Sequence, residues 1–253
     1  MATFRQCRPR GLRTILVFLF ALTIPFLLPA KSASAAWKEK SRIPVVRWDE
    51  ARPGCTFSRS DDGRFYYGLQ YEDLRITVAV DSQELEKVHR RHEPFFAVLL
   101  TLRYKGQATL DLVVEDISLE FVRHFQTIQP ALDPNGFSQK VQNDADELDR
   151  ETARELKKHP EQKEEREAYM RAFQKDVAEL QEFLGKNSLR PTQLSANNSE
   201  TSGWVLFSTQ SKWISGWKKP EEFILRVPIA GKIFEFPFKL PPKPGEEMLR
   251  RRE

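Results

Sequence analysis

The chain has 253 residues, with 40 Lys and Arg against 36 Asp and Glu, and a formal net charge of +4. The positive excess comes from residues 1–35, which hold five Lys and Arg and no Asp or Glu, so that the other 218 residues carry a net charge of −1. Binding to nucleic acid needs a cluster of Lys and Arg in the folded part of the protein, because these side chains neutralise phosphates. The composition therefore argues against a nucleic-acid partner.

Residues 1–35 have the features of a signal peptide. Four arginines precede an apolar run at residues 15–28, and Ala33-Ser34-Ala35 forms an A-x-A cleavage site. The run has 14 residues, whereas a helix that spans a bilayer needs about 20. We therefore expect cleavage near Ala35, no stable membrane anchor, and an extracytoplasmic protein that is periplasmic or secreted.

Residues 36–64 are polar and predict a leader to a domain at residues 65–240. Several segments of that domain alternate apolar and polar side chains, as strands with one buried face do. They are residues 74–80, 110–114, 117–121, 204–208, 223–227 and 234–238, and residues 65–71 are expected to pair with 74–80 across a short turn. The segment 94–104 is apolar on both faces and predicts a central strand. Pro237 predicts that the last strand lies at a sheet edge.

Residues 138–185 interrupt the strands and predict an inserted helical hairpin. One apolar stripe follows helical spacing through Val141, Ala145, Leu148, Thr152 and Leu156, and a second through Tyr169, Phe173, Val177, Leu180 and Leu184. His159 and Pro160 separate the two, and Gly185 is a natural stop. We expect two antiparallel helices of coiled-coil type whose apolar stripes pack against each other. Such a hairpin would be separable from the strands and could contact a partner.

Short alternating strands at regular spacing predict an immunoglobulin-like antiparallel β-sandwich interrupted by this hairpin. The segments LRITVAV, PFFAVLLTLRY and GWVLF followed by EFILRVPI, behind an export signal, resemble the immunoglobulin-like (telokin-like) extracytoplasmic domains of bacteria. The chain differs from antibody-type domains in lacking a cysteine pair. The resemblance implies a β-sandwich architecture and a role in binding or in structure. It implies no catalytic residues. Residues 241–253 predict a disordered, Pro-rich and basic tail.

Motifs for catalysis, cofactors and metals are absent from the sequence. There is no G-x-S-x-G and no glycine-rich phosphate loop. His89 and His92 are three residues apart, but Arg90 and Arg91 lie between them and would repel a cation. Cys55 is the only cysteine after residue 35, so that no intramolecular disulfide can form. We expect a protein that is not an enzyme. A hydrolase with dispersed catalytic residues is the weaker alternative, because such a triad leaves no local signature.

Three of the five tryptophans lie within residues 203–220. Trp204 falls in a strand pattern and predicts a core residue, whereas Trp213 and Trp217 fall in a connection. Aromatic side chains there either close the end of the sandwich or contact a ligand or partner. The leading hypothesis is an exported scaffold or interaction protein that contacts an envelope protein through the hairpin or the sandwich end. The alternative is a module that binds carbohydrate or another small ligand through Trp213 and Trp217.

Overall fold

The structure is a computed structural model that describes residues 43–91, 93–123, 127–209 and 221–240. The predictions for residues 1–35 and 241–253 lie outside these ranges. The described residues form a mainly β fold with three α-helices. The strands are β1 (Val45–Arg47), β2 (Cys55–Arg59), β3 (Arg64–Tyr71), β4 (Leu74–Asp81), β5 (Phe95–Tyr104), β6 (Leu110–Leu112), β7 (Ser118–Phe121), β8 (Thr127–Pro130), β9 (Thr192–Leu194), β10 (Glu200–Ser208), β11 (Glu221–Ile229) and β12 (Lys232–Leu240). The helices are α1 (Glu84–Arg90), α2 (Pro134–Lys158) and α3 (Lys163–Asn187).

Ten of these strands form two five-stranded sheets. Sheet A has the order β1-β12-β11-β7-β8, and sheet B has the order β10-β5-β4-β3-β2. The strands β6 and β9 pair with each other in a small third sheet. The pairings are antiparallel except that of β1 with β12, which is parallel. The predicted central strand is confirmed, because β5 lies between β10 and β4.

Sheets A and B pack face to face around one hydrophobic core. Phe96 of sheet B stacks on Phe223 of sheet A with 4.9 Å between ring centroids, and Phe223 stacks on Phe238 at 5.2 Å. Phe234 and Phe236 are buried in the same core, as the alternation along β12 predicts. Because β11 is buried at every second residue, its period of two fixes which face is turned inward.

The sheets begin earlier in the chain than the sequence predicted. Both β1 and β2 lie within the expected leader and form edges of sheets A and B. Between them, Trp48 is buried, packs edge-on against Tyr67 at 5.1 Å, and donates a hydrogen bond from Nε1 to the Gly68 carbonyl at 3.1 Å. These strands have three and five residues, too few for the alternation to be evident in the sequence.

The predicted edge position of the last strand is wrong, because β12 lies between β1 and β11. Its pairing with β1 covers only Ile233, Phe234 and Glu235. Pro237 comes two residues later and has no N–H to continue the ladder. The proline is therefore accommodated where β12 has lost its neighbour on that side.

The helical hairpin is confirmed, and it is longer than predicted at both ends. Asp133 caps α2 by accepting hydrogen bonds from the backbone N–H groups of Asn135 and Gly136 at 3.1 and 2.8 Å. His159 and Pro160 separate α2 from α3, as the sequence predicts. The expected stop at Gly185 is wrong, since α3 continues to Asn187.

The half of the hairpin nearest the sheets packs on the outer face of sheet B. The prediction that the two apolar stripes pack only against each other is therefore wrong. The second cluster of buried side chains joins both helices to β5 and β10; it contains Phe95, Ala97, Phe137, Val141, Ala145, Val177, Leu184 and Leu206. In the distal half, the buried residues Thr152 and Met170 contact each other. Tyr169, expected in the second stripe, is 49% exposed.

Candidate functional site

The two ends of the hairpin attach to the outer edge of β10. The Leu132 N–H donates to the Leu206 carbonyl at 2.8 Å, and the Leu189 N–H donates to the Trp204 carbonyl at 2.9 Å. Gly203 allows this approach, because a Cβ atom there would lie 2.5 Å from the Leu189 nitrogen. These contacts hold the foot of the hairpin against sheet B.

A cleft of about 360 Å³ lies at this foot, between the hairpin and the start of β5. Its floor is apolar and its rim is mostly acidic. The lining residues are Arg91, Glu93, Phe95, Val141, Asp144, Phe173, Asp176, Val177, Glu179, Leu180 and Phe183. Two helices and the first residue of β5 therefore contribute to a single concave surface, which is the usual form of a binding site.

A buried ion pair supports the floor of the cleft. Glu84 opens α1, is 1% exposed, and receives Arg91 with Nη1–Oε1 and Nη2–Oε2 distances of 2.6 and 3.3 Å. The Ala97 N–H donates to the same carboxylate at 2.8 Å. Burial raises the pKa of Glu84, and the hydrogen bond from Arg91 opposes this rise. The pair thus ties α1 to the beginning of β5.

Arg91 also forms part of the cleft surface. Its guanidinium carbon lies 4.0 Å from the centroid of the Phe95 ring, a cation–π contact. On its other side, Phe95 packs edge-on against Phe137 of α2 at 5.7 Å. The floor is therefore held by an ion pair at one end and by the hairpin at the other.

The rim carries more acidic than basic groups. Lys140 of α2 lies between two of its carboxylates, with Nζ 3.1 Å from Glu93 and in hydrogen-bond contact with Asp144. The hydrogen bond to Asp144 raises the pKa of Lys140. Across the cleft, α3 contributes Asp176 and Glu179. A ligand that enters the cleft therefore meets carboxylates from both helices.

Aromatic side chains continue the cleft in both directions along α3. Phe173 stacks on Tyr169 with 6.3 Å between centroids, toward the distal end of the hairpin. Phe183 packs against Trp204 of β10 at 6.1 Å, and the Arg64 guanidinium lies 5.2 Å from the Trp204 ring. The result is an apolar stripe that runs from the sheet to an exposed tyrosine.

Of the three tryptophans that the sequence analysis considered, the structure describes only Trp204. Trp213 and Trp217 lie outside the described residues. Trp204 is half-buried on the outer face of sheet B, whereas its neighbours Val205 and Phe207 point into the core. The predicted inward face of this strand is therefore wrong. Both faces of β10 are apolar, so its alternation did not distinguish them.

The residues of the cleft were only partly recognised from the sequence. Phe173, Val177 and Leu180 were assigned to the second apolar stripe, but as helix–helix contacts. Phe95 was assigned to a strand covered on both sides, which is correct. The missing signal was the surplus of apolar side chains on α3, since Phe183 lies beside the stripe and extends it beyond what one partner helix can cover.

The lining of the cleft, within the described ranges, contains no histidine, serine, threonine or cysteine. Among the described residues there is also no group of three or more His, Cys, Asp or Glu that could hold a metal ion. None of the helices that the structure describes has the length and apolar character needed to span a bilayer.

Comparisons of the chain with protein-family models, with curated proteins and with solved structures find no match in any of the three.

Proposed function

We propose that this chain is an exported, non-enzymatic interaction protein of the cell envelope, and that it contacts a protein partner through the helical hairpin. The observation that carries the proposal is the hairpin itself, which is attached to sheet B at its foot and exposes an aromatic stripe along α3. Tyr169, 49% exposed and stacked on Phe173, marks the distal end of that stripe.

The attachment of the foot gives the hairpin a defined orientation on sheet B. A helix of 25 residues is about 37 Å long, so one side of the hairpin has the dimensions of a standard protein interface of about 800 Å² per partner. Exposed aromatic residues next to a groove are typical anchors of such interfaces. Pre-organisation of the surface lowers the entropic cost of binding.

We also propose that the two packed sheets form an immunoglobulin-like sandwich. Two observations support this proposal. The sheets share one core between their facing sides, and the chain crosses repeatedly from one sheet to the other. In such a sandwich the sheets are the scaffold, and function lies in what is inserted between the strands. Here the largest insertion among the described residues is the hairpin.

Site-specific photo-crosslinking tests the proposed function. A photoreactive residue is placed at Tyr169, and the exported protein is irradiated in its own cell envelope. The matched control is Val45, which is 54% exposed on β1 of sheet A. We expect a discrete crosslinked species from Tyr169 and none at this mass from Val45. Equal patterns from both positions would refute a partner at the hairpin.

A further inference from the structure

We propose that the cleft at the foot of the hairpin binds a basic peptide segment of the partner, one that alternates Lys or Arg with large apolar residues. This inference rests on the proposed function and specifies the chemistry of the partner. Three observations carry it: the apolar floor, the acidic rim, and the length of the aromatic stripe that leaves the cleft.

The floor can accept apolar side chains. Phe95, Phe173, Leu180 and Phe183 line it together with Val177, and the cleft of about 360 Å³ is large enough for more than one side chain. Apolar surface of this kind gains about 25 cal/mol for each Å² removed from water. A ligand without apolar side chains would leave that contribution unused.

The charges around the cleft select a cation. Arg91 is engaged with the buried Glu84, Lys140 lies between Glu93 and Asp144, and Lys175 lies 3.7 Å from Glu179. Of the charged side chains that line the cleft, four are acidic (Glu93, Asp144, Asp176 and Glu179) and one, Arg91, is basic. The sign of the excess favours Lys and Arg and disfavours an acidic ligand.

The acidic character is confined to the half of the hairpin that borders the cleft. Residues 138–149 and 172–186 contain seven acidic and three basic side chains, whereas residues 150–171 contain six acidic and seven basic ones. The separation places the negative potential where the apolar floor is also found.

The stripe is too long for a small ligand. Phe183 and Tyr169 are 14 positions apart on α3, which is about 21 Å along the helix. An extended peptide of seven residues covers about 23 Å and presents every second side chain to one face. A segment that alternates apolar and basic residues would therefore fill the floor with one set and reach the rim with the other.

Fluorescence anisotropy with labelled synthetic peptides tests the inference on the full mature chain. The probe is the peptide KLKFKLK; ELEFELE controls for charge and KSKSKSK controls for apolar side chains. We expect binding of the first peptide that weakens with added salt, and at least tenfold weaker binding of each control. Equal binding of ELEFELE would overturn the role of the acidic rim.

Charge reversal locates the site. The double variant Asp176→Lys and Glu179→Lys should weaken binding of KLKFKLK at least tenfold, which corresponds to about 1.4 kcal/mol. The matched control is Glu115→Lys with Asp116→Lys, which makes the same change at two exposed positions between β6 and β7, outside the hairpin. Phe173→Ala should weaken binding by about fivefold or more, since one apolar contact is lost. Circular dichroism and the melting temperature establish that each variant is folded.

The outcomes separate this inference from the proposed function. The cleft would be refuted as the site if both double variants weakened binding of KLKFKLK equally, or if neither variant weakened it. A change of oligomeric state in the Asp176→Lys and Glu179→Lys variant, measured by gel filtration, would show that a second copy occupies the cleft and would overturn the inference. Failure of all peptides to bind, while Tyr169 still crosslinks to an envelope protein, would refute the peptide and leave the proposed function standing.

Discussion

Removal of the hairpin should destabilise the β domain, because its foot covers apolar surface of sheet B. Replacing residues 138–185 by a short glycine-serine loop would expose Phe95 and Leu206, which are 4% and 1% exposed, and more of the half-buried Trp204. Exposure of a fully buried large side chain costs about 1.5–3 kcal/mol. The two buried side chains and part of the tryptophan sum to about 4–7 kcal/mol, against a typical stability of about 5–15 kcal/mol.

A truncation of the hairpin tip provides the control. Replacing residues 150–171 by four glycine and serine residues removes Thr152 and Met170 together and exposes none of sheet B. Four residues span up to about 13 Å, enough to join two packed helices about 8–10 Å apart. We expect a change in the free energy of unfolding of about 1 kcal/mol or less, measured by urea denaturation with circular dichroism. If the two variants unfold at the same urea concentration, the contact between the foot of the hairpin and sheet B does not stabilise the β domain, and the prediction is refuted.

Three further predictions address the core, the buried ion pair and the export signal. Phe236→Ala should cost about 3–5 kcal/mol, and Ile233→Ala, at a half-buried position, noticeably less; equal unfolding midpoints would show that the inward face of β12 is misassigned. Because burial raises the pKa of Glu84 above its ordinary value of 4.5, its contribution to stability is fully present below pH 4.5 and declines as the pH rises through the folded-state pKa. The stability of the wild type relative to Glu84→Gln should therefore fall as the pH is raised above 4.5, and denaturation series at several pH values would reveal the opposite slope if the sign is wrong. Mass spectrometry of the exported protein should find a chain that begins just after Ala35; a chain that retains residues 15–28 would contradict the signal assignment.

Periodicity allowed the strands and the hairpin to be predicted, because each element with one buried face repeats its apolar residues at the spacing of its own geometry. The same signal failed where both faces are buried. Along β10, Trp204 and Leu206 contact the hairpin while Val205 and Phe207 contact the core. Alternation cannot assign an inward face to such a strand. The hairpin was therefore predicted correctly as an insertion and incorrectly as a separate one.

The cleft could not be predicted, because its parts come from distant positions in the chain. Glu84 and Arg91 belong to α1 and the residue that follows it, Phe95 to β5, and Phe173 to α3. Each of these residues has an ordinary local explanation as an acid in the first turn of a helix, a surface cation, a strand residue or a helix contact. Only the folded chain brings the ion pair, Phe95 and the α3 stripe together around one cleft.

The attachment of both hairpin ends to β10 also affects the entropy of folding. Leu132 and Leu189 are joined through a connection of more than fifty residues, yet both hydrogen-bond to the same strand. A flexible connection of that length costs about 2 kcal/mol more to close than one of five residues, by the logarithmic dependence of closure entropy on length. Antiparallel helices reduce this cost, because contacts between α2 and α3 hold their ends close together. For the folding chain, the long insertion therefore acts as a short connection.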